Sequence, residues 1–254
     1  RMLAVAYLRL GQRGKARGQL AYALDLRDNY YAPLALLVRA AYDAREREEA
    51  IDLAGRALGL RPWDLDVRFM LGDMLWEDGD ADGAGRELKR LVSVDPDHLA
   101  ARRILVLVHA AQGNMEDLAS ELEAILKRDP DDERARLDLG AAYHALGEDD
   151  RARGIYEQVV ARDPKHVQAL KFLGDIYRAQ GAMDKAIATY ERALAANRND
   201  PRPYFLLGSA YLSTGAEDKA ISIYKAAARF PRYLGEAYSN LGAKDGYNGT
   251  SARR

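Results

Sequence analysis

The stretch ERARLDLGAAYHALGEDDRARGIYEQVVARDPKH, residues 133–166, contains the pattern that decides the fold. Two segments with apolar residues at helical spacing flank a break at Gly147. The pair Leu139 and Gly140 belongs to a series that returns along the chain. Leu-Gly pairs stand at 71–72, 139–140, 173–174, 207–208 and 241–242, and each interval is 34 residues or twice 34. The chain is therefore interpreted as an array of repeats.

The 34-residue period keeps its register along the chain. It is also followed by Pro62, Pro96, Pro130 and Pro164, and by Ala16, Ala50, Ala84, Ala152, Ala186 and Ala220. We expect an array over residues 1–243, made of a partial repeat at 1–30, complete repeats at 31–64, 65–98, 99–132, 133–166, 167–200 and 201–234, and a short terminal helix at 235–243. A flexible polar tail is expected at 244–254, because Gly246 and Gly249 disfavour continued helix.

Each repeat is predicted to be a hairpin of two helices of about 14 residues. Tyr143, Ala152 and Tyr156 return as Tyr177, Ala186 and Tyr190, and then as Tyr211, Ala220 and Tyr224. The small residues Gly140 and Ala152 should let the two helices approach closely, while the aromatic residues fill the space between hairpins. The predicted fold class is all-α, a solenoid of about seven stacked antiparallel helix pairs plus a short terminal helix.

These positions resemble the tetratricopeptide repeat (TPR) pattern, W-x2-L-G-x2-Y, then A-x3-F, then P. The resemblance covers Leu3 to about Ala243, and it implies a right-handed superhelix with a protein-binding role. The first-helix Trp of the family is absent throughout. Repeat 99–132 also departs from the pattern, with Val106 and Leu118 where its neighbours have Gly and Ala.

Composition narrows the class of partner. Thirty-eight basic and 39 acidic side chains leave a net charge of −1, which disfavours a nucleic-acid partner. The absence of cysteine excludes disulfides and thiolate zinc sites. The longest apolar runs, such as 104–108, are far below the roughly 20 residues of a membrane helix, so no direct membrane insertion is expected. The sequence does not decide whether the protein lies in the cytoplasm or in a bacterial periplasm.

The segment DGDADGAGRELK, residues 78–89, matches the opening of a calcium loop. Its twelfth position carries Lys89, where such a loop needs a bidentate Glu. Gly79 falls at the inter-helix turn position shared with Gly113 and Gly147, so we predict a turn and the start of a helix.

No other pattern indicates catalysis, a metal or a cofactor. His98, His109, His144 and His166 lack metal-ligand spacing, and His109 replaces a Tyr at a packing position, which favours a core residue. The glycines follow the repeat period and form no phosphate-binding loop. The chain is expected not to be an enzyme, and no catalytic residue is predicted.

A partner-binding groove is predicted on the concave face of the first helices. Its residues occupy the second, fifth, ninth, twelfth and thirteenth positions of each repeat, an assignment that also follows the family. The groove residues are Arg39, Tyr42, Asp66, Phe69, Asp73, Trp76, Glu77, Arg103, Leu107, Arg134, Leu137, His144, Lys171, Asp175, Arg178, Arg202 and Phe205. Acidic and aromatic residues dominate its first part and basic residues its last. Trp76 is the predicted anchor, because a large aromatic residue facing the groove adds nothing to the core.

The predicted function is a non-enzymatic interaction scaffold for a partner peptide or helix. The alternative is a positioning or recruiting arm of a larger protein, such as a bacterial envelope-assembly, polysaccharide-export or pilus component, or an enzyme whose catalytic part is absent. The carboxylate clamp of chaperone-binding TPR domains is missing, because Asp175 accompanies Lys171 and Asp138 accompanies Arg134. Incompletely covered ends predict end-to-end self-association.

Overall fold

The structure is a computed structural model that describes Tyr7, residues 12–25 and 30–230, Gly235 and Ser239. Within that part of the chain lie thirteen α-helices and no strand. They are α1 (Arg13–Asp25), α2 (Tyr31–Asp43), α3 (Arg47–Leu60), α4 (Leu65–Glu77), α5 (Ala81–Val94), α6 (Leu99–Gln112), α7 (Met115–Arg128), α8 (Glu133–Ala145), α9 (Asp149–Arg162), α10 (Val167–Ala179), α11 (Met183–Ala196), α12 (Arg202–Ser213) and α13 (Glu217–Ala227).

From α2 onward the helices pack in consecutive pairs, α2 with α3 through to α12 with α13. A turn of two or three residues joins the helices of each pair, so the two run antiparallel. The all-α fold of helix hairpins predicted from the sequence is confirmed.

The turn within each hairpin requires a left-handed residue. Glycine holds this position in five of the hairpins, with φ between 73° and 90° at Gly79, Gly113, Gly147, Gly181 and Gly215. Arg45 holds it in repeat 31–64, with φ of 60°, a conformation that costs a residue with a Cβ about 1 kcal/mol or more. The turn geometry therefore explains the periodic glycine.

Residues 78–89 form such a turn followed by a capped helix. The Asp80 carboxylate accepts a hydrogen bond from the Gly83 backbone N–H at 2.8 Å and so caps α5. Asp82 accepts one from the Gln112 side chain at 2.7 Å. Both carboxylates thus have local structural partners, in agreement with the turn interpretation.

Two of the histidines are helix caps. The Nδ1 atoms of His98 and His166 accept hydrogen bonds from the backbone N–H groups of Ala101 and Ala169, each at 3.1 Å. Asp64 caps α4 in the same way, since its carboxylate accepts from Val67 at 3.0 Å. Across the described residues, no group of three or more His, Asp or Glu side chains is placed to hold a metal ion.

The buried glycines make room for a tyrosine ring of the same hairpin. A Cβ added to Gly174 would lie 2.3 Å from Cε1 of Tyr190, whose ring is fully buried. Gly140 faces Tyr156 and Gly208 faces Tyr224 in the same way. The prediction paired these glycines with the alanines at the twentieth position of each repeat, and the structure shows that the ring is the nearest neighbour.

These rings also correct the expected place of the aromatic residues. The Tyr190 ring covers Gly174 of its own hairpin and also belongs to a buried cluster that contains Leu207 and Tyr211 of the next repeat. The Tyr156 ring covers Gly140 and in addition stacks on Phe172 of the next repeat, with centroids 5.2 Å apart. The tyrosine rings therefore pack within hairpins as well as between them, whereas the sequence analysis expected only the second place.

Repeat 99–132 departs from this arrangement at two facing positions, where a larger residue replaces the glycine and a smaller one replaces the tyrosine. Val106 stands at the glycine position, and Leu122, which is buried, stands at the tyrosine position. A larger side chain on α6 is thus accompanied by a smaller one on α7, which keeps the total volume between the helices similar.

His109 lies in the core, as its packing position predicted. It is buried, and neither ring nitrogen has a hydrogen-bond partner among the described residues. Burial lowers the pKa of His109, and the nearby Lys89 lowers it further. The ring is therefore held in its neutral form.

The helices group into two compact units, Arg1–Asp132 and Glu133–Arg254, here called the N-terminal unit and the C-terminal unit. In the predicted terminal helix at 235–243, Gly235 and Ser239 have helical conformation. The rest of that helix, the predicted tail at 244–254 and most of residues 1–11 lie outside the described residues. No described helix is long and apolar enough to cross a membrane.

Candidate partner-binding clefts

The first helices of consecutive hairpins lie side by side. In the N-terminal unit α2 contacts α4 and α4 contacts α6, and in the C-terminal unit α8 contacts α10. Helices that are not chain neighbours thus meet first helix to first helix, so we take the first helices as the inner side of each stack. All the predicted groove residues lie on these first helices.

The N-terminal unit has a cleft of about 360 Å³ between α2 and α4. It brings together Arg39 and Asp66, both predicted groove residues, over a floor that includes Ala35. At its rim, the Tyr31 hydroxyl donates to Asp64. The rim is polar and the floor is apolar, as in clefts that bind a peptide side chain.

Most of the predicted acidic groove residues of this unit have partners within the protein. Asp73 accepts a hydrogen bond from the Tyr42 hydroxyl at 2.5 Å. Burial of the hydroxyl and, to a smaller extent, its hydrogen bond with Asp73 raise the pKa of Tyr42 to about 12. Glu77 pairs with Arg45. Asp66, by contrast, is exposed at the cleft.

The remaining predicted residues of this unit are aromatic, apolar or basic. Trp76 is partly buried on α4, and the Phe69 ring lies 4.9 Å from the His98 ring. Leu107 is exposed on α6. Arg103 pairs with Asp132 at 2.7 Å. The aromatic and apolar residues of this group have no charge to pair, whereas Arg103 is exposed but already engaged by Asp132.

A second cleft, of about 520 Å³, lies in the C-terminal unit between α10 and α12. Four of the predicted groove residues line it, namely Lys171, Asp175, Arg202 and Phe205. Gln168, Phe172 and Leu206 complete the lining. The structure thus gathers into one concavity residues that the sequence places on two different repeats.

Within this cleft most charges are neutralised by the protein itself. Lys171 is buried and donates to Asp200 at 2.8 Å. Asp175 accepts from the Tyr190 hydroxyl at 2.7 Å and lies 3.8 Å from Arg178. Asp200 was not among the predicted residues, although Asp64, Asp132 and Asp200 recur at one repeat position and were a signal in the sequence.

Arg202 is the exception. Its backbone N–H donates to Asp200 at 3.0 Å, but its exposed guanidinium makes no ion pair with any described residue. The cleft therefore offers one free positive charge beside apolar walls.

Four predicted groove residues of the C-terminal unit line neither cleft, and Arg178 with its contact to Asp175 is one of them. Arg134 lies 3.7 Å from Asp138. The Nδ1 atom of His144 is 2.6 Å from Asp149. The backbone carbonyl of Leu137 accepts from the Tyr156 hydroxyl at 3.3 Å. Each of these contacts lies within a single repeat.

The two clefts lie at equivalent places in their repeats, and at two lining positions the sign of the charge is reversed between them. Arg39 and Asp175 stand at the ninth position of repeats 31–64 and 167–200. Asp66 and Arg202 stand at the second position of the repeats that follow. One architecture thus provides two clefts of different charge.

Stacked hairpins with clefts between their first helices define a helical-repeat protein. The tetratricopeptide repeat pattern matches residues 41–105 and 109–176, a second TPR pattern matches 174–215, and a third, also a tetratricopeptide repeat, matches 201–231. The first of these alone spans more than half of the chain, so the chain belongs to the tetratricopeptide repeat family. Family membership supports a protein-interaction scaffold in general.

Solved structures share this fold. The crystal structure of MamA matches with a TM-score of 0.60 and 26% identity, over 68% of this chain and 94% of that one. YrrB, described as a TPR protein with an unusual peptide-binding site, matches with a TM-score of 0.61 and 17% identity over 75% and 96%. A chain from Naa15/Naa10 bound to HypK matches with a TM-score of 0.72 and 18% identity, over 95% of this chain but 38% of that one. No curated protein matches the chain.

Proposed function

We propose that the protein is a non-enzymatic scaffold that holds a peptide or helix of a partner protein against its first helices. The main support for this proposal is the cleft of about 520 Å³ between α10 and α12, which is lined by both apolar and charged side chains. Clefts of this size and mixed lining suit side chains of a bound peptide. YrrB, which has the same fold, is described as having a peptide-binding site.

A protein partner is favoured over nucleic acid. The net charge is −1, and most groove cations are paired with carboxylates, as Arg103 is with Asp132 and Lys171 with Asp200. A phosphate backbone needs several free cations on one face. Peptide recognition needs only apolar pockets and a few oriented polar groups.

The second proposal is that the array positions or recruits partners for a larger polypeptide, as in an envelope-assembly system or beside a catalytic domain. The Naa15/Naa10 match favours it, because this chain spans 38% of a longer chain there. The full-length gene tests it. A membrane-anchoring or catalytic segment before or after the array would support it, and an open reading frame that contains the array alone would contradict it.

Replacing Trp76 by alanine should weaken binding of the partner about 30-fold, because a buried interface aromatic contributes about 2 kcal/mol. The partner is first recovered with the array by affinity purification and identified by mass spectrometry. Its dissociation constant is then measured by calorimetry, with helix content checked by circular dichroism.

Trp63 provides the matched control. It is 72% exposed in the loop between α3 and α4, outside the first helices. Trp63→Ala should leave the dissociation constant within about twofold. Trp76 lies on α4 and lines neither cleft, so equal losses in the two variants, or no loss in Trp76→Ala, would contradict a partner contact along α4.

A further inference from the structure

The C-terminal cleft has the chemistry to select one kind of peptide. We propose that it binds segments of a partner protein in which a residue with a large apolar side chain is adjacent to a residue with a carboxylate. The apolar side chain enters between Phe172 and Phe205, and the carboxylate pairs with Arg202. This inference rests on the proposed function and specifies what the cleft between α10 and α12 recognises.

The charge preference follows from the free guanidinium of Arg202. Lys171 is occupied by Asp200 at 2.8 Å, and Asp175 by the Tyr190 hydroxyl at 2.7 Å. Arg202 is left as the exposed cation at the cleft, with no described ion-pair partner. A carboxylate ligand would supply the charge-assisted hydrogen bonds that this group lacks.

The apolar preference follows from the walls. Phe172, Phe205 and Leu206 line the cleft and are only partly buried. The Phe172 ring is held by stacking on Tyr156, with centroids 5.2 Å apart, and the Phe205 ring lies 6.1 Å from that of Tyr224. Walls supported in this way offer apolar area at little cost in side-chain entropy.

The close spacing of the two ligand groups follows from helix geometry. Arg202 and Phe205 are three residues apart on α12, so their side chains lie on the same face. The cation and the apolar wall are therefore adjacent. A ligand satisfies both only when its carboxylate is next to its apolar side chain, which is why neighbouring residues of one peptide fit.

The test is a titration of the ¹⁵N-labelled array, followed by nuclear magnetic resonance, with four blocked peptides. The probes are acetyl-Gly-Gly-Phe-Asp-Gly-Gly-amide and its counterparts containing Phe-Asn, Phe-Lys and Gly-Asp. We expect saturable shifts in the amides of α10 and α12, with Phe-Asp bound about tenfold more tightly than Phe-Asn. Phe-Lys and Gly-Asp should bind more weakly than Phe-Asp.

Two substitutions separate the charge from the wall. Arg202→Gln should abolish the preference for Phe-Asp over Phe-Asn and retain the preference for Phe-Asn over Gly-Asp. Arg202→Asp, which reproduces the residue at the equivalent position of the N-terminal cleft, should make Phe-Lys the best probe. The helix should tolerate both, because the position is exposed and lies in the first turn of α12.

Arg134→Gln is the matched control, because Arg134 is an exposed arginine at the same repeat position that does not line the cleft. It should change none of the four affinities. Equal binding of Phe-Asp and Phe-Asn, shifts centred outside α10 and α12, or no saturable binding would overturn the proposal. If these peptides fail while Trp76→Ala still weakens the full partner, the scaffold function stands and this specificity is wrong.

Discussion

Gly174→Ala is expected to lower the free energy of unfolding by about 3 kcal/mol, at the upper end of the usual cost of overpacking a core. The added Cβ would lie 2.3 Å from the Tyr190 ring. That ring is fully buried and its hydroxyl donates to Asp175 at 2.7 Å, so it cannot move aside without losing contacts. Urea unfolding followed by circular dichroism measures the loss.

The control is another helical glycine with open space. Gly154 in α9 has no atom within 4 Å of an added Cβ, so Gly154→Ala should raise stability by about 0.5–1 kcal/mol through helix propensity alone. Gly174→Val with Tyr190→Leu copies the Val106 and Leu122 pair of repeat 99–132. It should be more stable than Gly174→Val alone. A Gly174→Ala protein as stable as the wild type would refute the packing account.

The second large effect is expected at a shielded ion pair. Arg102 pairs with Glu121, and each side chain is only 13% exposed. Arg102→Met should cost about 3 kcal/mol, because it leaves the Glu121 carboxylate with little solvent and without its cation. The same urea experiment measures the change.

Two further variants test the cause. Arg102→Met with Glu121→Leu should recover most of the loss, because no unpaired charge is left in the protein. Arg128→Met removes a pair with Asp97 in which each side chain is 52% exposed, and should cost at most about 0.5 kcal/mol. Equal costs for Arg102→Met and Arg128→Met would show that shielding is not the cause.

The hairpins could be predicted from the sequence because the repeat multiplies weak signals. One Leu139-Gly140 pair or one Gly147 is consistent with many structures, whereas the same residues at a constant interval indicate one supersecondary unit. The contact between Gly140 and Tyr156 could not be predicted, because the period aligns equivalent residues without showing which of them meet across a hairpin.

The sequence predicts on which helices the proposed groove residues lie, but it does not predict how their charges are paired. Helical periodicity places Lys171 and Arg202 on the first helices, where the structure has them. The sequence pattern does not show that Asp200, in the turn before α12, neutralises Lys171 and leaves Arg202 free. The clefts also need two consecutive repeats, so no single repeat contains their full lining.

Site-specific photo-crosslinking can show whether partners bind the first helices. A benzophenone amino acid is placed at Leu107, a 45% exposed aliphatic residue of α6, or at Val94, a 69% exposed aliphatic residue at the end of the second helix α5. Each protein is irradiated with the purified partner. We expect a crosslink from position 107 that excess unlabelled array suppresses, and none from position 94. A crosslink from position 94 that equals or exceeds that from position 107 would contradict it.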